Sequence, residues 1–226
     1  RSTLFPYTTL FRSPYRRILG QTLQGYAMTY LLTGEHLRAE RLARDSLDLV
    51  GDAVNDHYSV YANSVHALAE SLRRQYKLEE SGRLQRELLK VQINRLGAQS
   101  QIVARTWNNL SHVMRASGKY EEAEDALRHA LAIYEKDPRE STFDLAVTYH
   151  NLGGLQNEAR QHTQALPSLA RAMELKQQLG GPRGAQLVST LTEISAARRE
   201  LRDIPGAATA LDRKSTRLNS SHPYRS

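Results

Sequence analysis

The chain has 226 residues, with 31 Lys and Arg against 24 Asp and Glu and a formal net charge of +7 at pH 7. Because it contains no cysteine, disulfides, thiolate metal sites and cysteine nucleophiles are excluded. No apolar run approaches the about 20 residues that a membrane-spanning helix requires, so we expect no membrane partner.

Both ends of the chain look foreign. Residues 1–13 read Arg-Ser-Thr-Leu-Phe-Pro-Tyr-Thr-Thr-Leu-Phe-Arg-Ser, which resembles the translation of a common short-read sequencing adapter. Residues 212–222 resemble the adapter of the other fragment end, and 223–226 follow it. We therefore treat 1–13 and 212–226 as adapter-derived. Without their six basic residues and one acidic residue, 25 basic and 23 acidic residues remain, a net charge of +2, so charge gives no argument for nucleic-acid binding.

Between these ends, the sequence resembles itself at a step of 42 residues. One column is large and apolar: Tyr26, Leu68, Leu110, Leu152 and Ile194. Two columns are small: Ala27, Ala69, Ser111, Gly153 and Ser195, and then Ala39, Ser81, Ala123, Ala165 and Ala207. A unit with one apolar face cannot bury that face alone, so neighbouring units are expected to stack around a shared core.

Five units follow one another, near 20–61, 62–103, 104–145, 146–187 and 188–211. Each predicts two helices, A and B, joined by a tight turn; in the third unit they are 104–117 and 121–134. The turn position, where a helix end favours left-handed backbone, holds Gly34, Tyr76, Gly118, Arg160 and Arg202. If 212–226 are foreign, helix B of the last unit is truncated, and Leu191 and Ile194 should be partly exposed.

The third unit carries a characteristic set of residues: Trp107, Leu110, Gly118, Tyr120, Ala123 and Ala130. The fourth repeats part of it with His150-Asn151-Leu152, Ala165 and Ala172. This pattern resembles the tetratricopeptide repeat (TPR), in the longer form of kinesin light chains and many bacterial proteins. The resemblance covers about 14–211 and implies an all-α fold, a right-handed superhelical α-solenoid of about five antiparallel helix pairs. Trp107 is expected to be mostly buried between helices.

The sequence offers no catalytic or metal-binding constellation. No helix carries the His-Glu-x-x-His spacing of a zinc protease, and His66 and His150 lie two units apart, too far to share a metal. Residues 180–184 are rich in glycine and precede a helix, but no strand comes before them, so we interpret them as a loop between units. We therefore expect no enzyme, no metal, no cofactor and no small-molecule substrate.

By the resemblance, helices A line a concave groove that holds a peptide. The predicted groove residues are Arg73, Arg105, Asn108, Asn109, His112, Arg115, His150 and Asn151. Asn109 and Asn151 would hold the main chain of an extended peptide without regard to its sequence. Arg73, Arg105 and Arg115 would bind carboxylates of an acidic peptide; the alternative is that these arginines form a solvated helix face.

The sequence therefore predicts a cytoplasmic, non-catalytic protein-protein interaction scaffold that binds a peptide or partner protein and no nucleic acid. An alternative, also by resemblance, is the regulatory arm of a larger bacterial signalling protein, either a Ser/Thr kinase or a transcriptional regulator. Sequence beyond both ends would distinguish the two, since a kinase shows a glycine-rich loop with a downstream His-Arg-Asp motif and a regulator shows a helix-turn-helix.

Overall fold

A computed structural model describes residues 15–50, 57–180 and 187–220, with side chains described as far as residue 212. These residues form ten α-helices and no strand. The helices are α1 (Tyr15–Leu32), α2 (His36–Val50), α3 (Tyr58–Arg74), α4 (Leu78–Leu96), α5 (Gln101–Ala116), α6 (Tyr120–Tyr134), α7 (Thr142–Glu158), α8 (His162–Leu179), α9 (Leu187–Glu200) and α10 (Ile204–Ser220). The predicted foreign residues 1–13 and most of the glycine-rich loop lie outside the described residues.

Local sequence signals set the ends of these helices, as the third hairpin illustrates. The Oγ atom of Ser100 accepts a hydrogen bond from the backbone N–H of Ile102 at 3.3 Å and caps α5, because the first N–H groups of a helix have no partner within it. At the other end, the N–H of Lys119 donates to the carbonyl of Met114 at 2.9 Å. The next helix then begins with Glu121 and Glu122 in its first turn, where negative charge favours the helix dipole.

The turn inside each hairpin has one backbone conformation with different residues. Positive φ angles of 82°, 59°, 72°, 59° and 62° occur at Gly34, Tyr76, Gly118, Arg160 and Arg202. This confirms the predicted left-handed position in all five units. Since residues with a Cβ adopt this region at a cost of about 1 kcal/mol, the hairpin geometry imposes the conformation even where glycine is absent.

The small columns lie where helices A and B of a hairpin approach each other. All five members of each column are buried, as predicted. In one hairpin, the hydroxyl of Ser81 donates to the carbonyl of Ala69 at 2.6 Å. In another, a Cβ atom added to Gly153 would lie 2.5 Å from Cγ of Leu169, which is closer than van der Waals contact allows. The 42-residue column of small side chains is therefore a requirement of helix spacing.

The chain divides into two compact units between Val91 and Gln92. In the first unit, α1, α2 and α3 pack around Ala27, Ala43, Leu68 and Leu72. Above this core, the carboxylate of Glu40 accepts hydrogen bonds from Nζ of Lys77 and Nε2 of Gln75, each at 2.8 Å. Burial alone would raise its pKa, but these bonds and one from Arg44 outweigh burial and lower the pKa of Glu40 to about 2.

Tyr26 and Trp107 differ from the prediction because each lies at the edge of a helix layer. Tyr26 is 57% exposed, since the described residues provide no earlier helix to cover α1. The ring of Trp107 is half-buried and stacks on His129 of α6, with ring centroids 4.7 Å apart. Both columns were assigned to the correct helix face, but a column alone does not say how completely neighbours cover it.

In the second unit, α5 to α10 form three hairpins, and the last one is closed. Leu191 and Ile194 are only 3% and 6% exposed, so the prediction that they would be partly exposed is wrong. The reason is that α10 continues past Leu211 to Ser220 and packs Ala207 and Ala210 against α9. None of the described helices is both long and apolar enough to cross a membrane.

Candidate functional site

Helices A of the second unit, α5, α7 and α9, lie side by side, with α7 contacting both others. We call the surface that they share the helix-A face. At its centre, Nδ2 of Asn151 donates to Oδ1 of Asn108 at 3.1 Å and lies 3.5 Å from Nε2 of His112. The structure thus brings together three predicted groove residues from two consecutive repeats, and all three are half-buried.

The amide pair keeps hydrogen-bonding capacity. Among the described residues, no group donates to Oδ1 of Asn151, and none accepts from Nδ2 of Asn108. One acceptor and one donor are therefore available next to each other, the same two functions that a peptide unit offers in complementary form. Asn109, the other predicted amide on α5, is also half-buried.

One helical turn further on, Arg115 of α5 forms a bidentate ion pair with Glu158 of α7. Its Nε atom donates to Oε2 at 2.7 Å, and its Nη2 atom donates to Oε1. These bonds outweigh the effect of burial and raise the pKa of Arg115. The predicted carboxylate-binding arginine thus already holds a carboxylate of its own chain, which the sequence analysis missed.

A spacing of 43 residues, one repeat plus one residue, identifies both contacts. It separates Asn108 from Asn151 and Arg115 from Glu158. Adjacent helices A are therefore offset by one residue on this face, and a search for complementary residues at 43 would have found Glu158. The next helix contact has a shorter step, as Nδ2 of Asn157 donates to the backbone carbonyl of Glu193 at 3.1 Å and to its Oε2 at 2.9 Å.

His150, predicted for the groove, belongs instead to a buried polar cluster beneath it. Its Nδ1 atom lies 3.2 Å from Oγ1 of Thr190, which also accepts from Nζ of Lys176 at 2.8 Å. Burial, followed by the positive charges of Lys176 and Arg115, lowers the pKa of His150 to about 4. Burial also lowers the pKa of Lys176, 2% exposed, to about 8. His150 is therefore neutral at pH 7 and serves packing between α7, α8 and α9.

The cluster has a counterpart one register earlier within the same unit. Gln92 and Thr106 occupy the positions 84 residues before Lys176 and Thr190, and the hydroxyl of Thr106 donates to Oε1 of Gln92 at 2.6 Å. A polar bond between helix B and the next helix A is thus a repeated element of the packing.

The remaining predicted arginines are held apart from the amide pair. Arg105 is exposed on α5, and it forms a hydrogen bond with the hydroxyl of Tyr134. Arg73 lies in the first unit, where its guanidinium binds Glu70 at 2.6 and 2.7 Å. Burial would raise the pKa of Glu70, but the bonds from Arg73 and Arg74 lower it. No described group of His, Asp or Glu side chains is arranged to hold a metal ion.

Residues 61–136, which span α3 to α6, match the family model of the tetratricopeptide repeat. These residues are tetratricopeptide repeats. The matched segment includes Asn108, His112 and Arg115, and thus the α5 part of the helix-A face. No curated protein matches the chain in sequence.

Solved structures of TPR proteins share the fold. BtubC (BKLC) from P. vanneervenii superposes with a TM-score of 0.83 at 21% identity, over 97% of this chain and 87% of that one. A Podosopora anserina protein of the kinesin light chain type, with nearly identical TPR-like repeats, gives 0.76 at 16% identity, over 93% and 100%. A Rap protein complexed with Competence and Sporulation Factor gives 0.62 at 15%, over 89% and 64%. The predicted all-α TPR-type fold is confirmed.

Proposed function

We propose that this chain is a non-catalytic TPR scaffold whose helix-A face binds an extended segment of a partner protein. The observation that carries the proposal is the amide pair, with Oδ1 of Asn151 and Nδ2 of Asn108 available on adjacent helices. A peptide N–H donates to the first and a peptide carbonyl accepts from the second. Because these contacts involve the peptide main chain, they hold a segment without selecting its side chains.

The fold supports a binding function. The Rap structure contains a bound factor, as its description states, and TPR hairpins present the faces of their helices for such contacts. In this chain, His112 and Asn109 flank the amide pair on α5 and extend the polar surface on which a segment would lie.

Acidic side chains of the partner would bind by exchange. Since Arg115 is already paired with Glu158, a partner carboxylate gains only the difference between two similar ion pairs. We therefore propose that the amide pair supplies most of the affinity and that Arg105 and Arg115 add a modest preference for acidic residues.

The experiment uses a peptide selected from a random display library against the full chain. Replacing Asn108 and Asn151 together by alanine should weaken its binding roughly 30-fold, because two hydrogen bonds of about 1 kcal/mol each are lost. The helical circular dichroism should not change. Asn94→Ala, an exposed amide at the end of α4, is the matched control.

Full-strength binding to the double variant would refute the proposal, as would a selected peptide that protects other residues from hydrogen exchange and leaves α5 and α7 unaffected. The alternative of a regulatory arm in a larger signalling protein is tested separately, by reading the gene beyond both ends.

A further inference from the structure

The helix-B side of the second unit has two grooves at equivalent places in consecutive repeats. The first lies over α7 between α6 and α8 and has a volume of about 750 Å³. The second lies over α9 between α8 and α10 and has a volume of about 340 Å³. Their linings correspond at the 42-residue step, with Tyr149 matched by Leu191, Leu152 by Ile194 and Leu131 by Met173. The repeat geometry therefore forms the grooves, and the side chains give each one its own chemistry.

The first groove, which we call the Tyr149 groove, is basic as well as apolar. Arg128 of α6 and Arg171 of α8 lie on its two walls, with Tyr149 between them. The hydroxyl of Tyr149 donates to the carboxylate of Glu135. Two guanidinium groups against one carboxylate leave this groove with a positive balance, whereas the second groove is mainly apolar.

The two guanidinium groups can change partners at small cost. Arg128 pairs with Glu124 four residues earlier, and Arg171 pairs with Glu174 three residues later. The arginine side chains are 61% and 48% exposed, and exposed pairs within one helix contribute only a few tenths of a kcal/mol. A ligand carboxylate placed between both arginines would replace two weak pairs by two charge-assisted bonds to one group.

An aromatic side chain beside a cationic or titratable one recurs at this register. One repeat earlier, Trp107 and His129 occupy the positions of Tyr149 and Arg171, and their rings stack with an interplanar angle of 19°. The partial exposure of Trp107, which the sequence analysis did not anticipate, follows from its place in this column on the helix-B side.

We propose that the Tyr149 groove is a second binding site, which takes an extended partner segment with a carboxylate next to a large apolar side chain. The carboxylate lies between Arg128 and Arg171, and the apolar side chain packs on Tyr149 and Leu131. This site is separate from the helix-A face, so one chain can hold two protein segments on different sides of the same hairpins.

The probes are three short Gly-Ser peptides with a fluorescent label, which carry Glu-Leu, Lys-Leu or Glu-Ser at their centre. The Glu-Leu peptide should bind the full chain with a Kd of about 1 mM or lower, and at least about tenfold more tightly than the Lys-Leu peptide. In amide NMR spectra of the isotope-labelled chain, its addition should shift signals of α6, Tyr149 and α8. The Glu-Ser peptide should bind more weakly, because it lacks the apolar contact.

Replacing Arg128 and Arg171 by glutamine should reduce binding of the Glu-Leu peptide about tenfold or more. Arg139→Gln removes an equal type of charge from the exposed segment between α6 and α7 and should have no effect. Equal binding of the three peptides, absence of binding at millimolar concentration, or signal shifts confined to the helix-A face would each overturn the proposal. None of these outcomes affects the test of Asn108 and Asn151.

Discussion

Replacing Gly153 by alanine tests the contact between α7 and α8 with the smallest possible addition. A Cβ at this position would lie 2.5 Å from Cγ and 2.7 Å from Cδ2 of Leu169, and 3.2 Å from the carbonyl oxygen of Ala165. Leu169 is fully buried, so its side chain has little room to move. The backbone carbonyl cannot yield without separating the two helices.

The expected loss of stability follows from two opposing effects. Overpacking a rigid core costs about 1 to 3 kcal/mol, and the short contact with Leu169 places this site near the upper end. Alanine in a helix interior regains about 1 kcal/mol relative to glycine. Gly153→Ala should therefore lower the free energy of unfolding by about 2 kcal/mol.

The adjacent glycine provides a matched control. A Cβ added to Gly154 meets no atom within 4 Å, so Gly154→Ala should gain helix propensity alone and stabilise the protein by about 1 kcal/mol. Urea denaturation followed by circular dichroism measures both variants. The two substitutions should thus have opposite signs, although they add the same methyl group to neighbouring positions of α7.

A double-mutant cycle identifies the cause. Leu169→Ala should cost about 2 to 5 kcal/mol in the parent chain, and less in the Gly153→Ala background, where it also relieves the clash. Equal stability of the Gly153→Ala and Gly154→Ala variants, or additive effects of Gly153→Ala and Leu169→Ala, would refute the steric reasoning.

Four other substitutions test separate parts of the structure, each by the urea midpoint. Arg160→Gly should stabilise the protein by about 0.5 to 1 kcal/mol because it removes the cost of a positive φ; a loss of stability would contradict this. Since the pKa of Lys176 falls from 10.5 to about 8 on folding, the unfolded chain binds more protons between these values, and stability should rise from pH 8 to pH 10.5. Lys176→Gln should flatten that rise, and an unchanged profile would count against it. The pKa of Glu40 falls from 4.5 to about 2, so its contribution of about 2 kcal/mol is present above pH 4.5 and lost as the pH falls towards 2; Glu40→Gln should remove that acid sensitivity. Arg115→Met should cost less than about 1 kcal/mol, because its ion pair is partly exposed, and a larger loss would show that the pair is structural.

The repeated positions could be predicted because each one answers a local requirement. A small residue at Gly153 or Ser81 is needed for the helices of one hairpin to approach, and a left-handed residue is needed at Gly118 or Arg160 for the chain to reverse. Such requirements recur at every repeat, so a period of 42 residues reveals them without knowledge of any neighbour.

The contacts of the candidate site were harder to predict because they join different repeats. His150 and Asn151 are consecutive, yet one is buried against Thr190 and the other reaches Asn108. A one-residue offset between adjacent helices A decides which side chains meet, and the 42-residue columns conceal that offset. The sequence therefore indicated which helices carry the site, while the pairing of Arg115 with Glu158 required the structure.

That pairing has a consequence for how binding would respond to ionic strength. A partner carboxylate that takes Arg115 releases Glu158, so the number of ion pairs stays the same and few counterions are displaced. Affinity for an acidic segment should then vary little between low and high salt, in contrast to the steep dependence that follows when previously solvated charges become paired. The released carboxylate of Glu158 is free to accept a basic side chain, so a segment that carries both signs of charge would recover the pair that it broke.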